Sequence, residues 1–317
     1  MKIVFLGSPE FAIESLKAIL ESKHEVLAVV TQPDSEADRG HKLKPCPVKV
    51  FAEKNGLKVY CFDKISRDGV GELKALKPDI MVTCAYGQIL SQEVIDIPKF
   101  GIINVHGSLL PKYRGAAPIQ SCIINGETET GITIMQTEAG LDSGDILNFE
   151  STPIYDGETA GELSERLSVI GARLLIKTLD QFETGTVSRT KQHHNEATFT
   201  TKITKVGATI NFNKTATQIV NLIRGCNPNP VARAVLDNDQ IKVYNATERK
   251  DIVVPEGAVA GEIIAPTSAK NGVFVACGFG VIELLRVQFP NGKECDAKSL
   301  VAGRKLTEGM TFKEFAK

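Results

Sequence analysis

The 317-residue chain has no apolar run near the ~18 residues that a membrane-spanning helix requires, so a protein built on such helices is excluded. Its opening, MKIVFLGSPEF, is a short apolar run cut at once by glycine, proline and glutamate. It reads as a first strand and not as a secretory leader. The seven cysteines are Cys46, Cys61, Cys84, Cys122, Cys226, Cys277 and Cys295. They are odd in number and scattered, several inside apolar runs, and no two lie at CxxC spacing. Reduced thiols in the cytoplasm are therefore expected, and a disulfide framework is not. His193 and His194 are adjacent but have no cysteine nearby, so no metal site is expected. Nucleotide signatures are missing too. FLGSPEF offers Gly7 where a dinucleotide loop needs GxGxxG, and GxxxxGK[ST] occurs nowhere, which weakens NAD and ATP readings. Ser8 and Pro9 instead suit the cap and first position of a helix. No internal repeat or low-complexity tract is present.

What is there fits a folded two-domain protein. A prior of about 150 residues per domain makes two cores the expectation. The 42% hydrophobic and 24% charged composition matches ordinary globular chains. A net charge of −1 conceals an asymmetry: from Phe199 onward there are 16 Lys/Arg against 11 Asp/Glu. No acid stands between Glu196 and Asp237, whereas Lys202, Lys205, Lys214, Arg224 and Arg233 do. Such a contrast suits either a polyanionic partner for the C-terminal half or a merely solvated basic face.

The first 180 or so residues alternate Val/Ile-rich runs, KIVFLG, EVLAVVTQ, LKVYCF, DIMVTCA and GIINVHG, with helical patterns at 9–22, 47–56 and 70–77. This alternation predicts a doubly wound, mostly parallel sheet of Rossmann-like type, with functional loops at the carboxyl ends of its strands. A hairpin-like pair, GITIMQTE and DILNFESTPI, flanks AGLDSGD, and a helix patterned over 158–185 closes the domain. Beyond a polar stretch come one helical pattern at 214–226 and short strands joined by Asn/Gly/Pro turns. They predict a smaller β-barrel of OB-like type. The expected domains are 1–188, a linker at 189–206, and 207–317. His24, just before the second strand, is expected at the surface or as a cap.

Within INVHGSLLPKYRG, Asn104 and His106 stand at i and i+2 of a strand and share a face. Two polar groups there are costly to bury unpaired. At the carboxyl end they can face a ligand crevice, the amide donating to a developing oxyanion and the imidazole moving a proton. Asp142 in GLDSGD is a candidate to orient the ring and favour its protonated form. Spacing by itself leaves a satisfied strand-end pair and a catalytic pair equally open.

The residues Asn104-Val105-His106-Gly107-Ser108-Leu109-Leu110-Pro111, Tyr113-Arg114-Gly115, Ala116-Ala117-Pro118-Ile119-Gln120 and Gly140-Leu141-Asp142-Ser143-Gly144-Asp145 resemble the signature of the 10-formyltetrahydrofolate-dependent formyltransferases. FLGSPEFA, TQPD and the two-domain plan extend the likeness over nearly the whole chain, and the greatest similarity is to the branch that formylates initiator Met-tRNA. The resemblance implies Asn104, His106 and Asp142 as the catalytic trio. It implies Ser108, Leu109, Leu110 and Pro111 as the segment lining the folate site, and 10-formyltetrahydrofolate as formyl donor. The acceptor it implies is the α-amino group of methionine on initiator Met-tRNA, bound in part by the C-terminal barrel.

The stretch 33–45 is long for a connection in an alternating sheet and carries Arg39, Lys42 and Lys44, suited to acceptor-stem phosphates. In the similar loop of the tRNA enzymes two basic residues usually follow RG. This chain has RGHK, so His41 departs from that form and Arg39 becomes the better candidate. Lys202 and Lys205 are further candidates for tRNA contact. Competing readings are formyl transfer to a small amine such as a purine ribotide or amino sugar, a formyltetrahydrofolate hydrolase, a nicotinamide oxidoreductase, and a non-catalytic RNA-binding protein. A monomer without membrane association is expected.

Overall fold

The apolar runs of the N-terminal half become adjacent strands in a computed structural model that describes residues 1–37 and 42–314. In chain order these are β1 (Lys2–Gly7), β2 (Glu25–Thr31), the short β3 (Ser35–Ala37) and β4 (Lys42–Lys44), β5 (Val59–Cys61), β6 (Ile80–Cys84) and β7 (Ile102–His106). Then follow β8 (Arg114–Gly115), β9 (Glu129–Gln136) and β10 (Ile146–Pro153). Helices α1 (Ile13–Leu20), α2 (Pro47–Lys54), α3 (Val70–Leu76) and α4 (Gln92–Ile95) fill the intervals before β7, and α5 (Pro118–Ile124) follows β8.

The main sheet has the order β10-β9-β7-β6-β1-β2-β5, with β5, β2, β1, β6 and β7 parallel and β9 antiparallel to β7. All five residues of β6 are buried, as are Ile3 to Gly7 of β1, because helices cover both faces of a parallel sheet. The 25-residue α6 (Ala160–Thr184) buries Leu167, Leu174, Leu175 and Leu179. It comes close at Gly171, where a side chain would press on Val105. Val105 therefore faces α6, and by strand alternation Asn104 and His106 face the other way.

The described chain divides into two compact units, one of residues 1–115, 130–152 and 164–200, the other of 116–129, 153–163 and 201–317. The first also contains β11 (Phe199–Thr200), which pairs in parallel with β8. In the second, α7 (Ala216–Gly225) begins with a capping box in which Thr215 and Gln218 satisfy each other's backbone N–H. After it come β12 (Ala232–Leu236), β13 (Asp239–Glu248), β14 (Ile263–Ser268), β15 (Gly272–Ala276), β16 (Val281–Gln288), β17 (Cys295–Asp296), α8 (Ala297–Ala302) and β18 (Phe312–Lys313).

These strands form one sheet of order β14-β15-β16-β13-β12-β18, whose ladder pairs are antiparallel. It curls until its two edges meet, Ile263 N donating to the Met310 carbonyl and Phe312 N to the Gly261 carbonyl, each at 2.8 Å. Phe212 and Phe312 stack inside, centroids 5.6 Å apart. The expected parallel sheet and OB-like barrel are thus both present. His24 differs from expectation: it is buried, its Nε2 3.5 Å from an Asp180 carboxylate oxygen, because the end of α6 covers it. No helix among the described residues is long and apolar enough to cross a membrane.

Candidate active site

β7 ends at His106 between a parallel neighbour, β6, and an antiparallel one, β9. Asn104 therefore lies beside Thr83 on one side and Met135 on the other. Its Oδ1 accepts a hydrogen bond from Thr83 Oγ1 at 2.9 Å. The same hydroxyl lies 3.3 Å from the Ile103 carbonyl, so its one hydrogen goes to the nearer Oδ1, which orients the amide and leaves Nδ2, a donor, without a partner among the described residues.

His106 is 5% exposed. Its Nε2 lies 3.0 Å from the Tyr113 carbonyl oxygen. A carbonyl can only accept, so Nε2 carries the hydrogen and a neutral ring has its lone pair at Nδ1. Asp142 Oδ2 stands 3.7 Å from that Nδ1, so the two motifs, far apart in sequence, are brought together. Asp142 occupies the β9–β10 loop at φ 45°, and its Oδ2 also accepts the Gly115 N–H at 2.8 Å.

Burial pushes the His106 pKa below the ordinary imidazole value. Asp142 and the Tyr113 carbonyl act against this, and Arg114 reinforces it. Asp142 thus favours the charged ring, as expected, but desolvation outweighs it. The resting ring is neutral at neutral pH.

The SLLP segment is held from within. Ser108 is buried, its hydroxyl donating to the Lys112 carbonyl at 2.6 Å while its own carbonyl accepts from Thr133 Oγ1 at 2.7 Å. Leu110 N bonds the same Thr133 oxygen at 3.1 Å. Ser108 and Leu110 shape the turn, and the partly exposed Leu109 and Pro111 offer apolar surface.

Among the basic candidates, Arg39 lies outside the described residues. The backbone of Lys42 pairs within the β3–β4 hairpin, and Lys44 is exposed on β4. Lys202 and Lys205 are exposed in the second unit. In that unit Arg224 bonds Asn221 Oδ1 at 3.0 Å, so its side chain is already engaged. Thr83, which the sequence reading passed over, and Tyr113 and Gly115, to which it gave no individual role, are further site residues. Only strand register and turn geometry bring their polar groups to Asn104, His106 and Asp142.

The family model described as formyl transferase matches residues 1–179, and the formyl transferase C-terminal domain matches 202–305. The methionyl-tRNA formyltransferase of Acetivibrio thermocellus is 44% identical over 313 residues, covering 98% of each chain. That of Ectopseudomonas mendocina is 43% identical, covering 96% of this chain and 95% of its own. Among solved structures, the N-formyltransferase of Helicobacter canadensis, complexed with folinic acid and dTDP-3-aminofucose, superposes with a TM-score of 0.68. It is 22% identical over 90% of this chain and 99% of its own, a likeness of fold.

Proposed function

The chain belongs to the formyl transferase family, and on that premise we propose that it transfers the formyl group of 10-formyltetrahydrofolate to the α-amino group of methionine on initiator Met-tRNA. The observation that carries this reading is likeness to methionyl-tRNA formyltransferases over 98% of both chains, C-terminal domain included.

The amine first adds to the formyl carbon, moving negative charge onto the formyl oxygen; collapse of that tetrahedral species breaks the C–N10 bond, and over the two steps one proton travels from the amine to N10. Asn104 Nδ2, its orientation fixed by Thr83, donates to the formyl oxygen as that atom gains negative charge. His106 Nδ1 takes up the amine's proton and releases it toward N10, while Nε2 stays tied to Tyr113. Asp142, 3.7 Å away, stabilises the imidazolium during that passage. The amine is itself the nucleophile, so no enzyme acyl intermediate is needed. Leu109 and Pro111, on a turn fixed by Ser108, line the folate site.

In this reading the domain of residues 1–188 carries the catalytic trio, 189–206 connect it to the second domain, and 207–317 bind tRNA. Arg39, Lys42, Lys44, Lys202 and Lys205 meet phosphates. The protein acts as a monomer in the cytoplasm, where its seven free thiols are stable. Parallel assays of transfer from 10-formyltetrahydrofolate to initiator Met-tRNA and to amino-sugar and purine-ribotide acceptors test the proposal. A higher kcat/KM for a small amine would overturn it.

A further inference from the structure

Gln192 lies in the stretch that sequence patterning marks as interdomain linker, yet it is 6% exposed and reaches the candidate active site. Its Nε2 donates to the Asp142 carbonyl at 2.9 Å and to the Gly144 carbonyl at 2.7 Å. Those two bonds span the turn that holds Asp142 at a positive φ. Its Oε1 accepts from Arg114 Nε at 3.1 Å and Nη2 at 2.6 Å. Every polar atom of the Gln192 side chain is thus committed, and all but one of these bonds are shorter than 3.0 Å.

Arg114 is 4% exposed and has no carboxylate partner among the described residues; its remaining side-chain bond is to His194 Nδ1 at 3.0 Å. Burying an uncompensated guanidinium is costly, and an amide oxygen and an imidazole nitrogen offset that only in part. The flanking backbone shows what the arrangement fixes. Tyr113 gives its carbonyl to His106, and Gly115 gives its N–H to Asp142. The same segment is stitched to the chain after Gln192, Tyr113 N donating to Thr198 Oγ1 and Arg114 N to the Thr198 carbonyl, each at 2.8 Å. Residues 113–115 and 192–198 therefore form one scaffold touching both His106 and Asp142.

We propose that Gln192 is a positioning residue that, anchored on Arg114, holds the Asp142 carboxylate against His106 Nδ1. Gln192 touches no reacting atom. It acts by setting where Asp142 sits relative to a ring that also faces Arg114 and the Tyr113 carbonyl. The inference rests on the proposed role of the trio in formyl transfer.

The test is Gln192→Met, which keeps the length of the side chain and removes both donated bonds. Two readouts are taken on the full chain: kcat against KM with the amine that the wild type formylates best, and the NMR titration of the His106 ring without substrate. Displacing Asp142 removes an influence that raises the ring's pKa, so the midpoint moves to lower pH. At the same time kcat falls about 10- to 100-fold with KM little changed, the scale of a misplacement near 1 Å. An unchanged midpoint, or kcat close to wild type, overturns the proposal. If Gln192→Met does not fold, Gln192→Glu keeps the bond to Arg114 but cannot donate to either carbonyl, and is judged by the kcat and KM split alone. A wild type that formylates only small amines would sink the tRNA reading and leave these two outcomes to decide the role of Gln192.

Discussion

Thr83 Oγ1 lies 2.9 Å from Asn104 Oδ1, and this contact decides which end of the amide is offered to a substrate. Thr83→Val keeps the shape and removes the hydroxyl. The amide can then rotate, so kcat is expected to fall about tenfold, with a stability loss of about 1 kcal/mol from the lost, partly buried bond. Asn104→Asp removes the donor and brings a like charge to the developing oxyanion, with an expected loss of about 10²- to 10³-fold in kcat. Single-turnover kinetics check both, and an unaltered rate in Asn104→Asp would remove Asn104 from its role.

The parallel sheet was legible because its strands are buried on both faces and therefore read as unbroken apolar runs, β6 being the clearest. Asn104 and His106 were legible as a pair because strand alternation puts them on one face. Thr83 was not: it meets Asn104 only through the β6–β7 register, 21 residues away in the chain. The neutral state of His106 was hidden as well, since it follows from the ring's burial and not from the acid near it. Gln192 looked like linker because composition records polarity, whereas its two donated bonds depend on the Asp142 turn. His24 looked superficial because nothing local announces that α6 will end over it.

His106→Ala separates chemistry from binding. Loss of the proton carrier lowers kcat by about 10²- to 10⁴-fold. Affinity for charged tRNA stays at the wild-type level, since a ring 5% exposed offers little contact surface. Binding titrations beside transfer assays check this. Retained transfer would place the proton path elsewhere.

His24 and His106 are both held below the ordinary imidazole pKa, chiefly by burial. In the unfolded chain each takes up a proton as pH falls through about 6.5, whereas the folded chain resists it. Stability is therefore full above that value and is lost as pH drops below it, until each depressed folded pKa is reached. Thermal melting followed from about pH 8 to about pH 5.5 should show a falling Tm, less steep in His24→Gln and in His106→Gln. A Tm independent of pH across that window would contradict the burial of both rings.

If Lys202, Lys205 and Lys44 meet phosphates, tRNA binding weakens with salt along a log–log line. Each replacement by alanine lowers the slope by about 1 and weakens binding alike for all tRNAs. Arg39→Ala and Lys42→Ala are read in the same way. A slope unchanged in one of these variants would strike that residue from the interface, while the catalytic trio would stay as assigned.

Gly115 connects the strand pairing to the carboxylate. At φ 112° it adopts backbone that other residues rarely enter, and a Cβ there would collide with the Thr200 carbonyl oxygen in the β8–β11 pair. The same residue's N–H bonds Asp142 Oδ2 at 2.8 Å, so a shift that relieves the collision also draws the donor away from the carboxylate. Gly115→Ala should cost about 1–3 kcal/mol of stability through strain and lower kcat as well. Gly56→Ala separates the two effects: Gly56 has φ 71° with open space around its Cβ position, so that variant carries backbone strain alone. A Gly115→Ala enzyme that loses stability but transfers formyl at the wild-type rate would mean that the Gly115 N–H does not hold Asp142 in place.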